Sequence, residues 1–427
     1  MRKVFITFVL MLVMSAYLFP ISFTFLPQAV NSKILVGVFG IICFVLNGVR
    51  NRALNVSEPT LFAGLMAATF SVWCLFSITI GNTSDMTYAS YLVSFLTWMF
   101  GAYGVYAALG LVYEKVNLDI ITRYLALACV FQCIMAVIID NSGFVCDLVD
   151  RFMDQGQDFY KRGHRLYGLG AALDPAGIRF SAVLIMMAHQ FTTSQEVRSY
   201  RRYQTSCLVG LSIIIIIGSV ISRTTLVGAF MSMVYILIFL FRTRKGGFTT
   251  IDRVQVFFWF FIVMLIILAA GIYFYRISGT FQNYLRFGFE AFFNWVETGE
   301  FRTSSTDTLT QTMWVWPDDL ETWLIGRGTF GVYDNNTDIG YCNFTFYCGL
   351  IGLLIFSIFF LYCHLVLNRK FKEFLLTSLL LVALTFIIWV KVTTDIFFLN
   401  ALLFCLPADP AEEGEEELAG PVVSVPR

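Results

Sequence analysis

Arginine is the residue type whose positions in this sequence most strongly suggest chemistry. Arg165 ends the basic stretch 161–165, and Arg179 follows at the start of an apolar run. Arg223 separates two further apolar runs, and Arg327 stands among glycines. Because a guanidinium can make two parallel hydrogen bonds to a phosphate, these positions predict contacts with a phosphate-containing group.

Lipid headgroups offer an alternative explanation for the same arginines. A solvated loop that carries Arg165 would be attracted to headgroups, and Arg223 in a tight turn could extend its side chain to them. Arg179 fits this explanation less well, because a charge within a membrane helix is costly and usually faces a cavity. Arg223 also precedes a helix, whose first N–H groups favour a bound anion.

Asp338 and Tyr341 form a second candidate group, just before an apolar run. A carboxylate and a phenol at a membrane surface could deprotonate and orient a sugar hydroxyl. Asp338 could instead cap the helix that follows, and the residues alone favour this interpretation. Four tryptophans of the same region either stack on sugar rings or pack their loop onto the membrane: Trp295, Trp314, Trp316 and Trp323.

The elements that must position these residues are membrane helices. The 427 residues are 58% hydrophobic and only 14% charged, whereas about a quarter of a soluble protein is charged. The net charge of zero excludes a strongly basic nucleic-acid binder. A membrane helix needs about 20 mostly apolar residues, and about twelve such runs occur, at 4–25, 34–49, 59–80, 89–112, 120–139, 178–191, 206–221, 226–241, 255–275, 341–366, 374–391 and 396–406. The sequence therefore predicts an all-α polytopic membrane protein with about twelve transmembrane helices in one domain, residues 1–406.

Lysine and arginine recur in the loops after every second run, which predicts the orientation of the chain. Short cytoplasmic loops retain positive charge, so both termini are expected in the cytoplasm, with the first run kept as a helix. Two long segments, 140–177 and 276–340, are then outward loops. Residues 407–427 are acidic and rich in proline and glycine, which predicts a disordered tail.

The order of these motifs resembles the O-antigen polymerase (Wzy-type) and O-antigen ligase group of bacterial membrane enzymes. The resemblance covers roughly residues 160–355 and includes a large outward loop before the last helices. Its motifs are Arg165-Leu166-Tyr167-Gly168, Asp174-Pro175, Ser222-Arg223-Thr224, the glycines of 326–331, Asp338 to Tyr341, and Gly-Leu-Ile-Gly at 349–352.

The resemblance implies a glycosyltransferase at the periplasmic face of the bacterial inner membrane. Such a polymerase transfers a glycan from undecaprenyl diphosphate to the sugar of another lipid-linked repeat unit. A diphosphate whose charge is compensated leaves readily, so we expect no cofactor and no metal. Membrane lipids and a copolymerase that sets chain length are the implied partners, and nucleic acid is not expected. The implied catalytic residues are Asp338, Arg223 and Arg165, and the implied diphosphate-binding or glycan-binding residues are Arg179, Arg327, Tyr341 and Arg302.

Two alternative functions remain at this point. A ligase of this group, which transfers polymer to the lipid A core, typically has a histidine just before the helix that follows the large loop. Asp338 stands near that point and the loop contains no histidine, which favours the polymerase. A transporter would require ionisable residues near the middle of several helices, but the charges cluster at the predicted helix ends.

Overall fold

The computed structural model describes residues 2–27, 30–53, 56–155, 165–241 and 279–409, with scattered residues between 258 and 277. The described chain is mostly helical, and six of its helices are long and apolar enough to cross a membrane. They are Ser32–Asn51, Glu58–Gly81, Tyr91–Gly110, Leu118–Asn141, Arg201–Ile221 and Gly340–Lys370. The predicted helical class is therefore confirmed and the six long apolar helices are compatible with a multi-pass membrane protein, while the larger number of about twelve spans stays a prediction.

Eighteen α-helices have defined bounds in the described residues. The first ten are α1 (Arg2–Leu18), α2 (Ser32–Asn51), α3 (Glu58–Gly81), α4 (Tyr91–Gly110), α5 (Leu118–Asn141), α6 (Gly143–Phe152), α7 (Leu173–Thr193), α8 (Gln195–Ser199), α9 (Arg201–Ile221) and α10 (Thr225–Phe241). The others are α11 (Gly279–Gly288), α12 (Glu290–Thr298), α13 (Ser304–Thr308), α14 (Leu320–Leu324), α15 (Val332–Asn335), α16 (Gly340–Lys370), α17 (Leu375–Ile388) and α18 (Phe397–Cys405).

Every apolar run within the described residues overlaps one of these helices, but α1 ends at Leu18, seven residues before the end of the predicted run 4–25. The run 255–275 lies mostly outside the described residues, as do Lys161, Arg162, His164 and residues 410–427 of the predicted tail. The start of that tail makes a hydrogen bond to an earlier segment, because the Lys372 amide donates to the Asp409 carboxylate at 2.8 Å. The first predicted outward loop, 140–177, contains α6 and ends earlier than expected, because α7 begins at Leu173.

The described residues divide into two compact units, a finer division than the single predicted domain. The first unit contains residues 1–32 and 119–303, and the second contains residues 33–118 and 304–427. Each unit has its own core and is described separately below.

Helix α7 forms the centre of the first unit and packs against α9 and α10. Its residues from 180 to 192 are all buried. Small residues allow the close approach, since a Cβ added to Gly228 of α10 would lie only 2.2 Å from the Cα of Ser181. The Ser181 hydroxyl completes the contact by accepting from the Gly228 amide at 3.2 Å. The site described below lies at the N-terminal end of this helix.

The core of the second unit is built from aromatic side chains. Phe356 of α16 stacks on Phe70 of α3 at 4.3 Å and on Trp389 at 5.6 Å between ring centroids. Helix α16 is interrupted at Gly349, which adopts a φ of 67°. A Cβ at this glycine would lie 2.2 Å from the Leu324 carbonyl oxygen, so the interruption lets α14 pack directly against the backbone. The apolar run 341–366 therefore forms two helical pieces.

Candidate functional site

The turn between α9 and α10 is joined to the first turn of α7 by two hydroxyl groups. Thr224 Oγ1 donates to Asp174 Oδ1 at 2.6 Å, and Ser222 Oγ donates to the same oxygen at 3.2 Å. Asp174 and Pro175 belong to the first helical turn, where a carboxylate is favoured by the helix dipole and a proline is tolerated. Two motifs that are about 50 residues apart in sequence are thus in direct contact.

Gly177 makes this contact sterically feasible. A Cβ at Gly177 would lie 2.5 Å from Ser222 Oγ and 2.9 Å from the Thr224 Cβ. The carbonyl of Thr224 also accepts a hydrogen bond from Ser181 at 2.9 Å. The absence of a side chain at 177 is therefore what allows the turn to lie against α7, a role that its position in the sequence did not reveal.

The segment after Arg165 is held by Gln132, a buried residue of α5. Gln132 Oε1 accepts from the Leu169 amide at 2.7 Å, while its Nε2 donates to Ser15 at 2.8 Å. A Cβ at Gly168 would lie 2.5 Å from Gln132 Oε1. The Arg-Leu-Tyr-Gly segment thus follows a fixed path over α5, and this path determines where Arg165 lies.

Arg165 and Arg223 are brought together over one aromatic ring, that of Phe287. The guanidinium carbon lies 5.0 Å from the ring centroid for Arg165 and 4.2 Å for Arg223. The two guanidinium carbons can therefore be no more than about 9 Å apart. A phenyl ring attracts cations through the negative charge of its face, so Phe287 offsets part of the repulsion between the two arginines. The pairing of these two arginines is the central feature of the site.

Arg223 makes two further contacts at the junction between α11 and α12. Its Nη2 lies 2.7 Å from Glu290 Oε2, and its Nε donates to the Phe287 carbonyl at 2.8 Å. Burial lowers the pKa of the Arg223 guanidinium below its ordinary value. The carboxylates of Glu290 and Asp174 oppose this shift, and the positive charge of Arg165 adds to it. These four ionisable groups therefore interact electrostatically, and their formal charges cancel.

The α11–α12 junction is fixed to the rest of the first unit at other points as well. Tyr284 Oη donates to Asp140 at 2.6 Å, and burial, together with this hydrogen bond, raises the pKa of the phenol. Gly288 approaches the backbone of Ser219 closely, because a Cβ there would lie 3.4 Å from the Ser219 carbonyl oxygen. The junction is thus held against the end of α9, where it presents Phe287 to the arginines.

Arg179 lies six residues after the start of α7 and contacts a different ring. Its guanidinium carbon lies 5.9 Å from the centroid of Phe19, which follows α1. The side chain is partly buried, in accordance with an arginine that faces the protein interior. Arg179 therefore belongs to the central helix of the unit, but its guanidinium contacts the ring of Phe19 rather than that of Phe287.

Arg302 also belongs to the first unit, but it lies in an exposed segment. It pairs with Glu300 at 2.9 Å, and its side chain is 57% exposed. An exposed ion pair of this kind contributes little free energy. The structure therefore gives Arg302 a local surface contact and does not bring it onto the ring of Phe287.

Arg327, in the second unit, organises the loop that carries it. Its guanidinium donates to Thr329 Oγ1 and to Asn335 Oδ1, both at 3.0 Å, and it lies 4.6 Å from the ring of Phe346. The surrounding glycines 326, 328 and 331 have φ values of 83°, 67° and 92°. These left-handed conformations confirm the tight backbone turns that the glycine spacing predicts.

Asp338 and Tyr341 lie at the start of α16 in the second unit. Tyr341 Oη donates to the Phe386 carbonyl at 3.0 Å, which ties the phenol to α17. The N-cap position of this helix is Ile339, which makes no side-chain cap hydrogen bond, so Asp338 stands one residue before the N-cap. Asp338 is exposed.

Three of the four tryptophans form a row on the second unit. Trp316 stacks on Trp323 with centroids 5.2 Å apart, and Trp314 lies 5.6 Å from Trp316. Trp314 and Trp316 are 41% and 39% exposed. We call these three residues the tryptophan row. Trp295 belongs to the first unit and is exposed there.

Phe287 and Glu290 are the site residues that sequence reasoning missed. Both lie in the predicted outward loop 276–340, where neither residue type has a spacing that suggests chemistry. The one local signal is that Glu290 begins a helix, where a carboxylate is favoured. Within the described part of the chain, no group of three or more His, Cys, Asp or Glu side chains is arranged to hold a metal ion.

The arrangement in the first unit is chemically suited to a polyanion. Two guanidinium groups within about 9 Å of each other can contact the two phosphates of a diphosphate. Comparisons of the chain with protein-family models, with curated proteins and with solved structures find no match.

Proposed function

We propose that this chain is a glycosyltransferase that polymerises undecaprenyl-diphosphate-linked oligosaccharide repeat units. The observation that carries the proposal is the convergence of Arg165 and Arg223 on the ring of Phe287. In this proposal the enzyme works at the periplasmic face of the bacterial inner membrane, and both its donor and its acceptor are lipid-linked glycans.

The two arginines would bind the donor diphosphate and compensate the charge that develops on it. The acceptor hydroxyl attacks the anomeric carbon, the bond between that carbon and the diphosphate oxygen breaks, and the diphosphate leaves with the electron pair. Charge compensation of this kind is commonly worth about 100-fold or more in rate for each contact. A carboxylate must accept the proton of the hydroxyl, and Asp338 is the candidate that the sequence suggests.

The other candidate residues have supporting roles in this proposal. Arg179, Arg327 and Arg302 would add positive charge for the diphosphate or contact the glycan, and Tyr341 would orient a sugar. The tryptophan row would stack against sugar rings, since an aromatic face pairs well with an apolar surface of similar size.

The test is the chain length of surface polysaccharide on gels, in cells whose own gene is replaced by a variant. R165A and R223A should leave a single repeat unit in place of a long ladder. R286Q is the matched control, because Arg286 precedes Phe287 but pairs with Glu297 at 2.5 Å. Normal ladders from R165A and R223A at normal protein levels would contradict the arginine assignment.

The same cells distinguish the polymerase from a ligase. Loss of a polymerase leaves short glycan on the lipid A core, whereas loss of a ligase leaves long polymer on its lipid diphosphate carrier. Long lipid-linked polymer in the R223A strain would therefore replace the present proposal with the ligase. Uptake of lipid-linked glycan into vesicles that contain the purified protein, without elongation, would replace it with a transporter.

A further inference from the structure

Glu290 occupies the position beside Arg223 that a phosphate of the donor would take. Its Oε2 lies 2.7 Å from Arg223 Nη2, and the two side chains are 22% and 17% exposed. A carboxylate oxygen and a phosphate oxygen accept the same kind of hydrogen bond from a guanidinium. A diphosphate that binds Arg223 must therefore compete with Glu290 for it.

Asp174, a second carboxylate near the arginines in the described part of the chain, is engaged differently. Asp174 accepts hydrogen bonds from the hydroxyls of Ser222 and Thr224, which connect α7 to the turn that carries Arg223. Displacement of Asp174 would break this connection. Glu290 is the first residue of α12, and displacement of its side chain from Arg223 leaves the carbonyl of Phe287 bonded to that arginine. Glu290 is thus the carboxylate that can leave the arginine while the turn keeps its place.

We propose that Glu290 is the catalytic base that receives the proton of the acceptor hydroxyl. This inference rests on the proposed function. When the donor diphosphate binds Arg223, Glu290 is released, and its oxygen becomes available to the acceptor hydroxyl. The hydroxyl oxygen forms the new bond to the anomeric carbon, its proton moves to Glu290, and the diphosphate leaves with the electrons of the broken bond.

The mechanism has a consequence for the order of events. A base that is released only by the bound donor can act only when the donor is present, so the enzyme does not deprotonate an acceptor with an empty donor site. Asp338, by contrast, is exposed beside the start of α16. Glu290 differs from it because Glu290 already contacts a residue proposed to bind the diphosphate.

The test is E290Q in the full-length protein, measured in single turnover and in donor binding. The amide retains the shape of the side chain and its acceptor oxygen, so Arg223 keeps a partner, but the amide cannot accept the proton. We expect transfer to fall about 100-fold or more, while a radiolabelled lipid-diphosphate oligosaccharide binds as tightly as to the wild type or several-fold more tightly. Donor binding becomes tighter because E290Q removes a charged competitor for Arg223.

Two further variants complete the experiment. E297Q is the matched control, because Glu297 is also on α12 and is paired with an arginine at 2.5 Å, but that arginine is Arg286. E297Q should transfer at the wild-type rate. E290D retains a carboxylate and should restore part of the activity that E290Q loses, whereas a role in folding alone predicts no such restoration.

Three results would overturn the assignment of Glu290. Near-normal transfer by E290Q would exclude it as the base, especially if D338N lost transfer instead. Parallel loss of donor binding and transfer in E290Q would show that Glu290 only anchors α12. Failure of the wild-type protein to bind or elongate a lipid-linked glycan would reject the proposed function itself, and with it this inference.

Discussion

Arg165 and Arg223 lie over the same phenyl ring, that of Phe287, although 58 positions separate the two arginines in the sequence. Two like charges this close together repel each other. The shared ring and the carboxylate of Glu290 offset that repulsion.

Phe287 is expected to contribute to donor binding although it carries no charge. F287L keeps an apolar side chain but removes the aromatic ring that both guanidinium groups contact. Two cation–π contacts contribute about 1 to 2 kcal/mol in total, so we expect the affinity for a lipid diphosphate to fall about tenfold. Equilibrium binding to detergent-solubilised protein measures the effect. F292L, at an exposed ring of α12, is the control, and unchanged affinity in F287L would show that the ring does not position the arginines.

Gly177 is expected to be intolerant of even one methyl group. In G177A the new Cβ would meet Ser222 Oγ at 2.5 Å and push the turn away from α7. Overpacking of this kind costs about 1 to 3 kcal/mol in the free energy of unfolding, and it should shorten the polysaccharide ladder as well. G143A is the control, because a Cβ at Gly143 meets nothing within 4 Å. An unfolding temperature of G177A equal to that of the wild type would argue against the tight contact.

The tryptophan row is expected to bind glycan rather than lipid. Asp318, Asp319 and Glu321 adjoin it and are exposed, and such carboxylates disfavour an anionic membrane surface. W316A should weaken binding of the free oligosaccharide repeat by about 1 kcal/mol, or roughly fivefold. Calorimetric titration measures this affinity, with L320A as the control at a neighbouring exposed side chain. Equal affinities for W316A and the wild type would favour packing against lipid.

Asp319 is expected to make the stability of α14 dependent on pH. Its carboxylate accepts from the Thr322 amide at 2.7 Å, and this hydrogen bond lowers the pKa of Asp319 below its ordinary value of 3.8. Because the folded pKa is the lower one, the stabilisation is complete above pH 3.8 and is lost as the pH falls through the folded value.

Hydrogen exchange of the Thr322 amide, normalised to its intrinsic rate, tests this expectation. Protection in the wild type should decrease as the pH falls below 3.8. In D319N the cap persists without a titrating group, so the protection should be independent of pH over this range. Equal pH dependence in both proteins would assign the effect to another residue.

Sequence reasoning identified the helices and part of the site. Hydropathy is a local property, and each apolar run within the described residues therefore overlaps a helix, although the ends differ, as at Leu18 in the run 4–25. Arg165 and Arg223 stand out in the sequence because a guanidinium can make two parallel hydrogen bonds to a phosphate. The sequence also placed Arg327 among glycines that need left-handed backbone, and the φ values of those glycines agree.

The remaining features depend on contacts between distant segments. No residue near Phe287 in the sequence indicates that its ring contacts two arginines. The role of Gly177 becomes clear only from its close contact with Ser222 in the structure. Arg302 illustrates the opposite case, because its charge suggested a ligand contact whereas its described partner is the nearby Glu300. Residue type therefore selects candidates, and only the packing of helices decides which of them meet.

The most direct test of the account is the affinity of the purified protein for undecaprenyl diphosphate. We expect R165A and R223A each to weaken binding about tenfold or more, since hydrogen bonds to a charged group contribute about 1.5 to 3 kcal/mol. The double variant should lose less than the sum of the two single losses, because neighbouring groups that hold one ligand do not act independently. R286Q should bind as the wild type does. Wild-type affinity in both R165A and R223A would contradict the claim that these two arginines hold a diphosphate.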